Sequence, residues 1–224
     1  MKFPKSLNDF VDVAADRGPR RDPVRPGSGG PAGNAQLTAW LGLTLLVLFL
    51  AELVTLLNVR GLITWHLTFG LLLIPPALAK IATTGWRIAR YYTGAQIYQR
   101  AGPPPLLLRL LGPLVILSTL ALLGTGVALT AVGPDADPLL TVLGLQISAL
   151  TLHQAAFVVW AVATGLHVLA RFLPAVHLAA TSTREGLRVP GRGRRVGVML
   201  ATAGVAAIVT TVGLALSTSW TSLG

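Results

Sequence analysis

Apolar residues fall into five long blocks along the chain, and the polar segments between them hold almost all of the charge. The blocks cover about Leu37–Leu57, Leu62–Thr83, Leu106–Ala131, Ile147–Leu173 and Val196–Leu216. Each is near the ~20 residues that a helix needs to cross a bilayer. In hydrocarbon every backbone N–H and C=O must be bonded within the protein, so each block is predicted to be a helix. The pattern therefore predicts an all-α fold: a polytopic membrane helical bundle with five transmembrane helices over 35–217. Residues 1–34 are rich in Pro, Gly, Arg and Asp (RGPRRDPVRPGSGGPAGN) and are expected to form a disordered cytoplasmic tail, because they can bury little apolar surface. The first span is expected to stay uncleaved, being too long for a signal-peptide core and lacking a convincing cleavage site. Residues 218–224 read as a short outer tail.

Composition sharpens this picture. The chain is 53% hydrophobic and 12% charged, with a net charge of +10 and no cysteine. Absence of cysteine excludes disulfides, thiolate-ligated haem, iron–sulfur clusters and covalent c-type haem attachment. The positive charge lies in loops beside the spans, which points to membrane lipid and topology as its explanation, and not to nucleic acid. The N-terminal tail and loops two–three and four–five are basic; loop one–two has one Arg and loop three–four none. Positive residues stay on the cytoplasmic side, so the N-terminus is expected inside and the C-terminus outside. Abundant Ala, Leu, Gly, Arg and Pro beside only three lysines suggest a bacterial cell membrane.

Span four carries the candidate chemistry, in ISALTLHQAAFVVWAVATGLHVLARFL. His153 and His167 are separated by 167 − 153 = 14 residues. That spacing puts them about 21 Å apart along the axis and within roughly 40° of one face. Span two repeats it, since His66 and Lys80 also differ by 14. The predicted topology makes these two spans parallel, with His66 and His153 in the outer leaflet and Lys80 and His167 in the inner one. That spacing suits two haems stacked across a membrane, each held by a ring nitrogen. The outer iron ligands would be His66 and His153. The inner ones would be His167 and Lys80, whose amine would have to lose its proton. A plain structural role competes at each position: histidines as interhelical hydrogen-bond partners, and Lys80 snorkelling to headgroups. If Lys80 snorkels, the inner haem is five-coordinate or absent.

Other residues take supporting parts. Arg87, Arg90, Arg109 and Arg171 near the inner face, and Arg60 near the outer one, are candidates for haem propionates, or else set topology and meet lipid phosphate. Glu52 in span one is either a proton-handling group or a hydrogen-bonded carboxyl near Arg60. Gly70, one turn after His66, would let a flat macrocycle approach the backbone. Pro75 and Pro76 should bend span two. Gly112, Ser118, Gly124 and Gly126 suit close helix packing in span three. Trp160 is either a spacer between two haems or ordinary core, and His177 reads as an interfacial residue. Span five has no ionisable residue within Val196–Leu216 and reads as a packing helix. No catalytic residue is identified: there is no phosphate-binding loop, no HExxH and no paired carboxylate.

Four stretches carry a resemblance: WHLTFG at 65–70 with Lys80, WRIARYYTG at 86–94, AGPPPLLLRLLGPLVILSTLALLGTGVAL at 101–129, and LHQAAFVVWAVATGLHVLARFL at 152–173. In these the chain resembles the bacterial cytochrome b561-like membrane b-type cytochromes, related in architecture to formate dehydrogenase gamma subunits and ferric-reductase-like membrane domains. The wording also looks like an actinobacterial group associated with secreted molybdopterin-dependent oxidoreductases. The resemblance spans helices two to four. It implies a four-helix haem-binding core with one or two b haems, transmembrane electron transport, and quinone or a peripheral molybdopterin-type oxidoreductase as partner. Lys80 stands where the family would have a fourth histidine. The expected function is that of an electron-transfer subunit of an oxidoreductase, and not a catalyst alone. The alternative is a haem-free membrane scaffold or a small transporter component.

Overall fold

The computed structural model describes residues 5–17, 22–100, 102–133, 139–142, 145–180 and 189–221. Five helices are long and apolar enough to cross a membrane: α2 (Gly30–Thr55), α3 (Ile63–Tyr92), α5 (Leu106–Val132), α6 (Ala149–Ala180) and α7 (Arg192–Leu216). Short helices precede, interrupt or follow them: α1 (Lys5–Ala14), α4 (Gln96–Gln99) and α8 (Thr218–Thr221). The outer faces carry large exposed apolar side chains, among them Val47, Leu117, Leu169 and Leu200. On a water-soluble surface so continuous an apolar exterior would be costly; against lipid tails it is the expected solvent-facing surface.

Helix α2 sits between α3 and α6, α5 packs on α6, and α7 covers α3. Leu45 of α2 with Leu73 and Ala77 of α3 form a buried cluster, joined by Leu48, Phe49 and Leu123. Trp160 on α6, 5% exposed, packs against Phe49 with ring centroids 4.6 Å apart and against Phe157 at 6.1 Å. It is therefore part of the aromatic core between α2 and α6. Polar ties hold one end of this bundle. Asn34 Nδ2 donates to the Thr83 carbonyl, Thr38 and Thr83 share a hydroxyl bond, and Gln36 Nε2 donates to the Leu178 carbonyl. These pair the start of α2 with the ends of α3 and α6, so α3 and α6 run in the same direction.

The tail expected over 1–34 takes a different form. Lys5–Ala14 is helical, packs against α6 and α5, and is tied down by His177 Nδ1 on Asp16 Oδ2. Its apolar positions Leu7, Phe10, Val11 and Ala14 recur at helical spacing, a short periodicity hidden within a polar stretch. Helix α2 starts at Gly30, seven residues before the apolar block, with Pro31 in its first turn, where a missing N–H costs nothing. Ile147 belongs not to a span but to β2 (Leu145–Ile147), paired antiparallel with β1 (Leu140–Val142). Residues 134–138 of the acidic loop and 181–188 of the basic loop four–five lie outside the described residues. Helix α3 continues through Pro75 and Pro76.

Glycines do not all pack helices together. A Cβ on Gly112 or Gly124 would meet nothing within 4 Å, so neither serves the close packing expected of it. A Cβ on Gly213 of α7 would lie 2.6 Å from Leu71 Cδ1 of α3. Gly213→Val is expected to push α7 off α3 and cost about 1–3 kcal/mol. Gly112→Ala is expected to change stability by less than about 0.5 kcal/mol. Thermal unfolding of the two variants in one detergent checks the contrast.

Candidate functional site

Because α3 and α6 run in the same direction, their first turns bring His66 and His153 together. Their ring centroids are 6.4 Å apart and the planes cross at 88°. Each Nδ1 is held by neighbours. His66 Nδ1 lies 2.9 Å from Glu52 Oε1 and 3.0 Å from Thr55 Oγ1, both on α2. The Thr55 hydroxyl donates to the Glu52 carbonyl at 2.6 Å. Its oxygen is then left to accept, and His66 Nδ1 must carry the proton. His153 Nδ1 lies 3.0 Å from Thr125 Oγ1 on α5, whose hydroxyl donates to the Ala121 carbonyl at 2.7 Å. The same reasoning puts the proton on His153 Nδ1. Both imidazoles therefore keep their Nε2 lone pairs available. Fixing one ring nitrogen through a second partner is how proteins orient a metal-ligating histidine.

The separation fits a shared ion. Two opposed imidazoles bound to one metal at about 2.0–2.1 Å have centroids roughly 6.3 Å apart. Among the described residues no group of three or more His, Asp or Glu is placed to hold a metal ion. A two-imidazole site therefore suits a metal that brings its own equatorial ligands, as haem iron does. Gly126 makes room on the α5 side, since a Cβ there would come 3.3 Å from His153 Cε1.

Several expected roles change. Glu52 pairs with His66 and not with Arg60, which is exposed. Gly70 faces the Glu52 carboxylate, with its would-be Cβ 3.7 Å from Oε1. Arg87 is engaged by Asp22 through two bonds of 2.7 and 3.2 Å. Arg90 lies over the Trp86 ring at 5.6 Å, and Arg109 stands exposed near the start of α5. His177, on an exposed part of α6, binds Asp16 as an interfacial residue would.

The inner pair is less organised. Lys80 and Arg171 are both close enough to His167 to act on it electrostatically. His167 Nδ1 is buried with no hydrogen-bond partner, so nothing sets its tautomer. The Lys80 amine rests against α2, where a Cβ on Gly42 would come within 2.6 Å of Nζ. Gly42 thus makes room for a lysine that turns into the bundle.

Sequence reasoning did not identify Thr55 and Thr125 as orienting groups. Thr125 stood in plain view inside the Gly-Thr-Gly of span three, where the glycines drew the packing interpretation. Thr55 reaches His66 only because the chain reverses between α2 and α3. Comparison of the chain with protein-family models, with curated proteins and with solved structures finds no match.

Proposed function

We propose that this chain is a transmembrane b-type cytochrome, an electron-transfer subunit in which His66 of α3 and His153 of α6 would hold a haem. The observation that carries the reading is the His66–His153 pair at 6.4 Å, each ring steered through Nδ1 with its Nε2 lone pair available. Such a haem, when bound, would supply one-electron chemistry with no open coordination position. The chain's own residues do the rest. Glu52 and Thr55 hold one imidazole and Thr125 holds the other. Glu52 beside His66 also raises the electron density on its ring.

A second haem at His167, with Lys80 as its partner, belongs to the same proposal with less support. His167 has no orienting partner on Nδ1, whereas both outer histidines do. Electrons would pass between the quinone pool or a cytoplasmic donor and an outer oxidoreductase of molybdopterin type, in a bacterial inner membrane with the N-terminus cytoplasmic. Support for that orientation is the clustering of Arg87, Arg90, Arg100, Arg171 and Arg192–Arg195 at one end of the bundle, with Arg60 at the other.

The test is a pyridine haemochrome assay with a reduced-minus-oxidised spectrum on purified protein, wild type beside Lys80→Ala. The expected result is a red protein with at least one low-spin haem that Lys80→Ala leaves untouched. Loss of one of two haems in that variant would establish the inner ligand pair. A colourless wild type would remove the cytochrome reading and leave Glu52, His66, His153 and Thr125 as the polar network of a haem-free membrane scaffold or transporter component.

A further inference from the structure

A second site is built where the segment before α2 meets the starts of α2 and α7 and the end of α3. A cavity of about 330 Å³ opens there, and Arg25, Arg90, Arg194 and Arg195 all line it. An adjoining cavity shares Arg25 and Arg90 and adds Arg100. No carboxylate is among the described residues lining either cavity. Asp22, three residues before Arg25, is already engaged by Arg87. Guanidiniums gathered without a carboxylate among them repel one another, and an external anion would relieve that repulsion.

Two further features point the same way. Helices α2 and α7 both begin at this cavity, and neither has a side-chain cap or an acidic residue in its first turn. The positive dipole ends of the two helices add to the field of the arginines. Arg195 is only 4% exposed, yet its buried Nε has no hydrogen-bond partner. The walls also identify the depth. Trp86 Nε1 meets the Tyr98 hydroxyl at 3.3 Å, and both rings line the cavity beside Leu37 and Val198. Aromatic residues bridging apolar and charged surfaces mark the headgroup level of a bilayer.

We propose that this cavity binds an anionic phosphate ester, supplied either by a phospholipid headgroup or by a free phosphate species. Arginine forks match phosphate oxygens, and basic pockets between membrane helices on the cytoplasmic side suit anionic headgroups. The site is separate from the histidine pair and stands whether or not a haem is bound.

The test uses the full chain in neutral detergent, titrated with phosphatidylglycerol, phosphatidylcholine or inorganic phosphate, with binding read by native mass spectrometry. An anionic probe is expected to bind the wild type and to lose at least about tenfold in affinity in Arg25→Gln/Arg194→Gln. Both of these side chains are exposed, so circular dichroism should show an intact helical fold. Arg17→Gln/Arg109→Gln removes two exposed cations outside the cavity and should change affinity less than about twofold. Binding of phosphatidylglycerol but not inorganic phosphate assigns the site to lipid; binding of inorganic phosphate with the same loss assigns it to a free phosphate species. Equal weakening in both double variants, equal affinity for phosphatidylcholine, or no binding of either anionic probe by folded wild type overturns the proposal.

Discussion

Replacing His66 with alanine is expected to abolish the low-spin spectrum of the proposed haem and to lower its content by at least roughly an order of magnitude, with His153→Ala doing the same. The reason is geometric. The two rings lie 6.4 Å apart with Nδ1 of each already held, and among the described residues no group of three or more metal-ligating side chains backs them up. Changes one step further out should separate orientation from ligation. Glu52→Gln keeps the side-chain volume but removes the charge beside His66 Nδ1, now 2.9 Å from Oε1. Removing such an outer partner weakens a metal site by about 10–100-fold, or shifts its potential at retained occupancy. Thr125→Val should act on His153 in the same direction and more weakly, since a neutral hydroxyl is lost and not a carboxylate. Haem content and midpoint potential, measured for all four variants, check the series. Unchanged haem in both histidine variants would place the ligands elsewhere.

The second large effect concerns stability at the basic end. Arg195→Ala is expected to cost on the order of 2–4 kcal/mol. Arg195 is buried, and its guanidinium donates to the carbonyls of Pro190 at 2.7 Å, Val189 at 2.8 Å and Ser28 at 3.5 Å. It also lies over the Trp40 ring at 5.8 Å. One side chain thus joins the segment before α7, the segment before α2, and α2 itself. Truncation leaves those carbonyls short of a donor in a place water reaches poorly, which costs more than the bonds themselves contribute. Arg195→Lys should recover less than half of the loss, because an ammonium cannot address three carbonyls with a planar fork. The same junction is closed by Gly33, where a Cβ would collide with the Ser28 carbonyl oxygen, so Gly33→Ala should be destabilising in the same assay. Thermal unfolding in detergent measures all three; an Arg195→Ala protein as stable as the wild type would show that the junction is not part of the cooperative unit.

The two effects also explain what could be read in advance. Long apolar blocks with charge confined between them dictate membrane helices, because lipid allows an isolated segment no other way to satisfy its backbone. That condition is local, so the five-helix, all-α fold was legible residue by residue, and only the ends moved. The pairing of His66 with His153 was also legible, because a 14-residue repeat on two parallel spans is a one-dimensional signal that topology converts into depth. Lys5–Ala14 was not, since one short amphipathic helix of under three turns inside a charged stretch is held by contacts with α5 and α6 and not by its own composition.

What the chain alone determined, then, was the number of apolar spans and the spacing that sets His66 level with His153, both functions of apolar length and helical pitch. What only the tertiary structure decided was partnership at each depth. Glu52 turned to His66 and not to Arg60, and Thr125 rose from a packing motif to hold His153. Arg87 closed on Asp22, Lys80 settled against Gly42, and five arginines from separate segments converged on one pair of cavities. These depend on helix rotation and on close approach between segments as much as 167 residues apart, as in the Arg195–Ser28 contact. Hydrophobic periodicity gives a helix its length and its buried face; the few degrees and ångströms that choose a polar partner are set by how neighbouring side chains pack.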